Sequence, residues 1–402
     1  MPEISESPPA AMQTTSQKPI RVALLVDEYF GAVGTAFGGY GFLARHVVAK
    51  YLPCEEIQVE VLLRRKKSLL AAKKHVVDGI NVWHLPRYAW LSRRWLKKQD
   101  YDVYLSIELT SASAWIMEIA PSGKLILWIQ DPRPKEKWDN EIGTMSMIKD
   151  PCFYDERIAP LINRLQNENR LVWITQGRSL VPLAKELYEI KQNFDARYIP
   201  NPIDIDWDFD VERHPKKNNI IFLGRLEAQK RVWLVCETAK RMPQYDFHIV
   251  GKFFRHREDN ERSVEKYRTE KIPNLHWAGH LDGEEKNELL KTAKILINTS
   301  IWEGIPISWL EALACGTLLV SNLDNENLVS RFGICSGQNL GDGFSGVDAY
   351  VSAIEKIMTD EPFRRERAAA AVAYVRETHN VGRFVRDMRQ VISESARVRA
   401  GN

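Results

Sequence analysis

The stretch ILINTSIWEGIPISWLEALACGTLLV occupies residues 295–320 and contains a complete strand–helix–strand unit. The apolar runs 295–298 and 317–320 have the length and residue types of strands that are buried on both faces. Between them, Pro306 suits the first turn of a helix and Gly316 suits its end. This order of elements predicts a parallel sheet covered by helices.

The same alternation extends outward in both directions along the chain. In the C-terminal half, further strands are predicted at residues 219–223, 247–250 and 275–278, and the tail from about 349 to 400 is helical in pattern. In the N-terminal half, strands are predicted at 21–27, 58–63, 80–85, 102–107, 124–129 and 171–174. We therefore predict an α/β fold with two Rossmann-like, doubly wound domains in tandem.

The domain boundary is predicted at the proline-containing segment 198–204 and the polar stretch that follows it. The four predicted units are a disordered lead at 1–19, an N-terminal domain at 20–205, a C-terminal domain at 206–378, and a C-terminal helix at 379–402 that can pack back on the N-terminal domain. The lead has no apolar core of the kind found in secretory signals.

Composition excludes several classes of protein. The chain has 402 residues, of which 44% are hydrophobic and 27% charged, with a formal net charge of +3. These values exclude a wholly disordered chain and a membrane bundle, and no nucleic-acid partner is expected. The five cysteines are widely spaced and contain no CxxC pair, which predicts reduced thiols in a cytoplasmic protein.

Two loops that follow predicted strands carry the candidate site. The first is GRLEAQK at 224–230, in which Arg225 and Lys230 flank a predicted helix start and suit a diphosphate. An ordinary pair of solvated cations is the alternative. The second loop places Glu303 ahead of a helix and Glu311 along it, where carboxylates can accept hydrogen bonds from vicinal hydroxyls. The alternative for Glu311 is a helix-favouring residue on a wet face.

Three motifs together resemble the retaining GT-B glycosyltransferases, specifically the GT4 family. They are IPNPID at 199–204, GRLEAQK at 224–230, and EGIPISWLEALACG at 303–316, in which Glu303 and Glu311 form the E-x7-E pattern of that family. The resemblance implies two Rossmann-like domains that face each other across a cleft. It implies a metal-independent transferase that moves a hexosyl or deoxyhexosyl group from a nucleotide-diphosphate-sugar to a glycan, glycolipid or other hydroxyl acceptor, in cell-surface polysaccharide assembly.

The resemblance also assigns roles to residues. Arg225 and Lys230 resemble the pair that neutralises the donor diphosphate, Glu311 the ligand of the ribose hydroxyls, and Glu303 the contact to the donor sugar. The catalytic set is then Arg225, Lys230 and Glu303, without a cofactor or metal. The wider donor-binding set comprises Gly38, Gly39, Gly224, Arg225, Lys230, Glu303, Gly304, Ile305 and Glu311.

One position departs from the family pattern. Many relatives carry a histidine after an N-terminal strand, whereas residues 130–134 of this chain read QDPRP. Gln130 or Asp131 is a candidate for the donor-sugar or acceptor contact in its place. The alternative is that the Asp-Pro pair only forms a turn.

Two features resemble metal sites. Asp204, Asp206, Asp208 and Asp210 alternate along the interdomain linker, and His276 and His280 flank a predicted strand. The aspartates lie in a segment expected to be solvated, and the histidines lack a third ligand. We therefore expect no metal at either place.

A basic stretch spans residues 64–98. It contains one acid, Asp78, and eleven cations: Arg64, Arg65, Lys66, Lys67, Lys73, Lys74, Arg87, Arg93, Arg94, Lys97 and Lys98. With its interleaved tryptophans and leucines, the stretch suits the surface of an anionic membrane, which would make the protein peripheral at the inner face of the cytoplasmic membrane. A plain solvated face is the alternative.

Two other function classes stay open at this stage. One is a different enzyme on the same scaffold, such as a sugar-nucleotide epimerase or a phosphorylase. The other is a non-catalytic module that binds membranes or polyanions through residues 64–98.

Overall fold

The computed structural model describes residues 18–32, 38–64, 70–141, 143–147, 155–191, 194–204, 209–254 and 256–400. Within these ranges the chain forms two sheets, each covered by helices on both faces. The predicted α/β fold with two doubly wound domains is confirmed.

The N-terminal sheet contains eight strands among the described residues, in the order β3-β4-β2-β1-β5-β6-β7-β8. Every pairing is parallel except that of β3 with β4. The strands are β1 (Ile20–Leu25), β2 (Ile57–Arg64), β3 (Lys73–Val77), β4 (Ile80–Leu85), β5 (Val103–Ile107), β6 (Lys124–Ile129), β7 (Leu171–Thr175) and β8 (Arg197–Tyr198).

Helices cover both faces of this sheet. The first helical run consists of α1 (Gly39–Phe42), a π-helical turn at Leu43–Val48, and α2 (Ala49–Tyr51). The further helices are α3 (Ala89–Gln99), α4 (Ser111–Ile119), α6 (Ile158–Asn167) and α7 (Leu180–Leu187), whereas α5 (Lys135–Glu141) inserts Trp138 into the C-terminal core.

The C-terminal sheet is wholly parallel, with six strands in the described part of the chain, ordered β11-β10-β9-β12-β13-β14. They are β9 (Lys217–Leu223), β10 (Asp246–Val250), β11 (Leu275–Gly279), β12 (Ala293–Asn298), β13 (Leu318–Ser321) and β14 (Gly333–Cys335). The helices are α8 (Val232–Arg241), α9 (Arg257–Thr269), α10 (Gly283–Thr292), α11 (Ile307–Ala314), α12 (Leu328–Phe332), α13 (Val347–Thr359), α14 (Glu361–Thr378) and α15 (Val381–Ala400).

Three strands were missed because their sequences lack an apolar run. Strand β3 reads KKHVV on the antiparallel edge of its sheet, while β8 and β14 have only two and three residues. Edge strands tolerate charge on their outer face, which removes the alternation that sequence patterns depend on.

The loop GRLEAQK does not open a helix directly, contrary to the prediction. Ala228–Lys230 form a 3-10 turn, Arg231 adopts a left-handed conformation with φ 46°, and α8 begins only at Val232. At the other loop, Pro306 immediately precedes α11, and Gly316, with φ 64°, follows its end. The helical tail is divided into α13, α14 and α15.

The last helix, α15, packs against the N-terminal sheet. Phe384 stacks on Trp128 with ring centroids 5.3 Å apart. Met388, Val391 and Ile392 are buried in the core that contains the inner residues of β1 and β5. The chain therefore crosses from the C-terminal domain back to the N-terminal domain at residues 379–380.

His379 lies at this crossing. Its ring is 2% exposed, and Nδ1 lies 2.7 Å from the carbonyl oxygen of Asn201. Burial lowers the pKa of the His379 imidazole to about 4. The contact with Asn201 opposes this shift, and the charge of Arg383 adds to it. Since this folded value lies below the unfolded value of about 6.5, the stability contribution is fully present above pH 6.5 or so and is lost as the pH falls towards 4.

As the pH falls from roughly 6.5 to 4, His379 takes up a proton in the unfolded chain before it does so in the folded chain. We expect this difference to lower the free energy of unfolding by about 3 kcal/mol, at ~1.4 kcal/mol per pKa unit. Urea unfolding of the wild type and His379→Gln across this range measures the effect. The variant should lose stability less steeply towards low pH, whereas a control variant at the exposed His276 should follow the wild type. An unchanged pH slope in His379→Gln would contradict the expectation.

Candidate active site

A cleft of about 1130 Å³ separates the two sheets. Its walls come from loops at the carboxyl ends of β1, β5 and β6 on one side and of β9, β10, β11 and β12 on the other. Ligands of open α/β sheets bind at this end of the strands. All eleven predicted site residues line the cleft: Gly38, Gly39, Gln130, Asp131, Gly224, Arg225, Lys230, Glu303, Gly304, Ile305 and Glu311.

Lys230 and Glu303 meet in the wall formed by the C-terminal domain. Lys230 Nζ forms an ion pair with Glu303 Oε1, and both side chains are largely buried. Ser300 Oγ also donates to Glu303 Oε1 at 2.6 Å. Thr299 Oγ1 donates to the Lys230 carbonyl at 2.6 Å, which ties the 3-10 turn to the loop after β12. The two predicted loops therefore form one unit.

Arg225 reaches toward the opposite wall of the cleft. Its Nη1 lies 3.7 Å from Glu28 Oε1, and its Nε lies 3.5 Å from Glu227 Oε2. Glu28 belongs to the loop after β1, so this pair joins the two domains. The guanidinium is partly exposed to the cleft, which leaves it accessible to an anionic ligand.

Glu311 lies on α11, set back from Glu303. Its Oε1 accepts a hydrogen bond from Lys286 Nζ of α10 at 2.5 Å, and both side chains are 19% exposed. Lys286 was not predicted as a site residue. It also lines the cleft, and no local motif marks it, because its partner is distant in sequence.

Gln130 and Asp131 both bond to groups of the protein itself. Gln130 Nε2 donates to Asn201 Oδ1 at 2.9 Å, and the side chain is buried. Asp131 Oδ1 accepts from Trp302 Nε1 at 2.9 Å, and its Oδ2 accepts from Arg133 Nε at 2.8 Å. Their contact to a donor sugar or an acceptor stays a prediction.

Glu108 is a buried carboxylate that sequence reasoning missed. It follows β5 with φ 55°, and its Oε2 accepts from the backbone N–H groups of Gln130 and Asp131 at 2.9 and 2.8 Å. Its Oε1 accepts from Tyr188 Oη at 2.6 Å. Burial raises the pKa of this carboxyl, although these three donors oppose the rise. Glu108 therefore fixes the loop that carries Gln130 and Asp131.

Position relative to the strands is the signal that could have found Glu28 and Glu108. Glu28 comes three residues after the end of β1, and Glu108 comes directly after β5. The rule that ligands meet the carboxyl ends of parallel strands would have included both.

Two of the residues that resembled metal ligands, Asp204 and His276, contact other side chains of the protein. Asp206 and Asp208 lie outside the described residues, while Asp204 contacts Lys50 Nζ and Tyr51 Oη at 3.2 and 2.8 Å. His276 Nε2 lies 2.9 Å from Asp246 Oδ1. Among the residues that the structure describes, no three His, Cys, Asp or Glu side chains converge in a way that could hold a metal ion. Metal independence of the chemistry stays a prediction.

The C-terminal half of the chain is similar to a known protein family. Residues 204–377 match the family model described as Glycosyl transferases group 1. A stretch of 162 residues is 29% identical to the UDP-Gal:alpha-D-GlcNAc-diphosphoundecaprenol alpha-1,3-galactosyltransferase of Escherichia coli, and covers 36% of this chain and 38% of that protein. The chain spans half or less of the length of the curated relatives it matches.

Solved structures extend the likeness to almost the whole chain. Sucrose-phosphate synthase from Thermosynechococcus elongatus matches 95% of this chain and 100% of its own, with a TM-score of 0.70 and 14% identity. HepE of Anabaena, solved in complex with UDP-glucose, matches 93% and 100%, with a TM-score of 0.63 and 12% identity. These likenesses show the fold, and with the family model they confirm the resemblance to the group 1 glycosyltransferases of GT-B architecture.

Proposed function

We propose that this chain, whose residues 204–377 form a glycosyl transferases group 1 domain within a GT-B fold, transfers a hexosyl or deoxyhexosyl group from a nucleoside-diphosphate sugar to a hydroxyl acceptor. One observation carries the proposal. The two cations suited to a diphosphate, Arg225 and Lys230, share a single cleft with the two carboxylates suited to sugar hydroxyls, Glu303 and Glu311.

The reaction follows from the charges in the cleft. When the bond between the sugar and the diphosphate breaks, negative charge develops on the leaving diphosphate, and Arg225 and Lys230 stabilise it where it forms. Lys230 is paired with Glu303. A diphosphate that binds Lys230 competes with this carboxylate and leaves Glu303 able to accept hydrogen bonds from the sugar hydroxyls.

Retention of configuration is part of the proposal. The acceptor hydroxyl attacks from the face that the diphosphate leaves, and the leaving phosphate takes the proton of the acceptor. A double-displacement mechanism would need a carboxylate nucleophile at the anomeric carbon. Glu303 is the candidate, but its contacts with Lys230 and Ser300 support a binding role instead.

We propose a uridine diphosphate hexose as the first donor to test and a glycan or lipid-linked glycan as the acceptor. The Escherichia coli relative is a UDP-Gal:alpha-D-GlcNAc-diphosphoundecaprenol galactosyltransferase, and HepE was solved with UDP-glucose, which supports this choice. A role in cell-surface polysaccharide assembly follows from that acceptor class.

A panel of UDP-, GDP-, ADP- and dTDP-sugars tests the proposed function. Thermal stabilisation and slow hydrolysis should select one nucleotide and one sugar, after which transfer to a lipid-linked or soluble glycan is measured. Absence of binding and of hydrolysis with every donor would overturn the proposal.

Activity should persist in EDTA, because the cationic side chains supply the charge stabilisation that a metal supplies in other enzymes. The measurement is turnover with excess chelator, and again after Mg²⁺ or Mn²⁺ is added back. Loss of turnover in EDTA and its recovery with a divalent ion would contradict metal independence.

The basic surface supports a position at a membrane. On α3, Arg93, Arg94, Lys97 and Lys98 are exposed, together with Trp90, which is 66% exposed. Leu70 and Lys73 are also exposed, whereas Arg65, Lys66 and Lys67 lie outside the described residues. No helix in the described part of the chain has the length and apolarity needed to cross a bilayer.

We expect the chain to bind vesicles that contain anionic lipid at low salt and to leave them at high salt, since exposed charges are screened within about 10 Å at 0.1 M. Removal of Arg93 and Arg94 should weaken binding by about 10- to 30-fold, at ~1 kcal/mol per charge. Removal of the exposed Arg257 and Arg262 on α9 is the matched control. Equal loss in both variants, or no binding, would favour an ordinary solvated face.

A further inference from the structure

The loop after β6 crosses the cleft and contacts both donor-site loops. Asp131 Oδ1 accepts a hydrogen bond from the indole N–H of Trp302 at 2.9 Å. Arg133 Nη1 donates to Gln229 Oε1 at 3.1 Å. Trp302 directly precedes Glu303 and Gln229 directly precedes Lys230, so each contact holds the neighbour of a proposed site residue.

The two N-terminal members of this contact are fixed to one another. Arg133 donates to Asp131 Oδ2 through Nε at 2.8 Å and also through Nη2. The Asp131 side chain is 13% exposed and that of Arg133 is 26% exposed, so water has limited access to the pair. Two guanidinium nitrogens of Arg133 therefore donate to one carboxylate oxygen of Asp131, and charge-assisted hydrogen bonds of this kind hold both side chains in position.

The backbone beneath the pair is held equally firmly. Glu108 accepts the N–H groups of Gln130 and Asp131. On the facing side, the carbonyl oxygen of Gln130 lies so close to Gly304 that a Cβ at that position would collide with it. The two domains touch at this point with backbone against backbone, directly beside Glu303.

The chain that follows docks on the C-terminal domain at a second place. Trp138 and Met145 are buried in the core of that domain rather than in the N-terminal core. Asp342 Oδ1 accepts from the backbone N–H groups of Ser146 and Met147 at 2.9 and 3.0 Å. This second contact also joins the domains, but it is not adjacent in sequence to the donor-site loops.

We propose that Asp131, Arg133, Trp302 and Gln229 form an interdomain clasp in which Asp131 and Arg133 are positioning residues for Glu303 and Lys230. The effect of the clasp on catalysis rests on the proposed function. Asp131 is engaged on both oxygens by protein groups, so it acts through the neighbouring loops rather than by touching the sugar. When the clasp opens, Lys230 and Glu303 keep their charged groups but are no longer aligned with a bound donor.

Asp131→Asn tests the clasp, with Asp342→Asn as the matched control. The asparagine keeps an oxygen for Trp302 but loses the charge and the Oδ2 oxygen that accepts both hydrogen bonds from Arg133. We expect kcat to fall about 10- to 100-fold, since misplacement by about 1 Å has effects of this size. Affinity for bare UDP should change less than about threefold, and Asp342→Asn should leave kcat within about threefold of the wild type.

Trp302→Phe is the second variant, because it removes only the indole N–H and part of the ring. It should reproduce the loss in kcat, and circular dichroism melting checks that both variants fold. Small-angle X-ray scattering adds a readout that needs no turnover: the radius of gyration should increase in Asp131→Asn and in Trp302→Phe relative to wild type.

The outcomes separate the clasp from the proposed function. An unchanged radius of gyration together with unchanged kcat would overturn the clasp. Altered preference among donor sugars with an unchanged radius of gyration would also overturn it and would assign Asp131 to the sugar. If no donor is turned over, the proposed function fails, while the scattering comparison still decides whether the clasp holds the domains together.

Discussion

Lys230→Ala is expected to lower kcat/KM for the donor about 30- to 1,000-fold without unfolding the protein. The reason is that a charge-assisted contact to the leaving diphosphate strengthens as the bond breaks, and its loss typically raises the barrier by ~2–4 kcal/mol. Arg225→Ala is expected to act in the same direction. Steady-state kinetics with the donor found in the nucleotide-sugar panel measures both.

A matched control is Lys240→Ala, at an exposed lysine that pairs with Glu270 outside the cleft. This variant should keep wild-type kinetics. Retained turnover in both Lys230→Ala and Arg225→Ala would remove these residues from the diphosphate site.

Because Lys230 forms an ion pair with Glu303, a loss of activity in Lys230→Ala has two possible causes. In Lys230→Ala, the largely buried Glu303 loses its ion-pair partner and keeps the hydrogen bond from Ser300. The double variant Lys230→Ala/Glu303→Ala therefore belongs in the series. A double-mutant cycle separates the loss caused by the missing cation from the loss caused by an unpaired carboxylate.

The second large effect is expected from alanine variants of the two glutamates, one of which should affect nucleotide binding and the other turnover and sugar selectivity. Glu311→Ala should weaken binding of the free nucleoside diphosphate by about 10- to 150-fold, because hydrogen bonds to a charged group are worth ~1.5–3 kcal/mol. Glu303→Ala should leave that binding nearly unchanged, while it lowers turnover and reduces discrimination among sugars. Isothermal titration calorimetry with the bare nucleotide compares the two variants.

Lys286 provides the internal control for this comparison. It donates to Glu311 at 2.5 Å, so Lys286→Ala should follow Glu311→Ala in direction with a smaller loss. Equal loss of nucleotide affinity in both glutamate variants, or loss in Glu303→Ala alone, would reverse the proposed direction of the donor along the cleft.

The sequence by itself determined the fold class and eleven of the residues that line the cleft. Short apolar runs such as Lys124–Ile129 form strands because burial on both faces demands continuous apolar residues, and that demand is visible locally. The E-x7-E spacing of Glu303 and Glu311, with Arg225 and Lys230 after another strand, was enough to predict a single site. The carboxyl ends of parallel strands in a sheet all lie at one edge, so residues far apart in sequence converge there.

Only the tertiary structure decided how the two domains meet. The contacts of Asp131 with Trp302, Arg133 with Gln229, and Arg225 with Glu28 each join residues about 100 to 200 positions apart, and no spacing rule of a helix or strand describes such pairs. The same holds for α15 on the N-terminal sheet and for Trp138 in the C-terminal core. Periodicity reports which face of an element is buried, but the partner that buries it is selected by the packing of the whole chain, and this selection placed Asp131 between the domains.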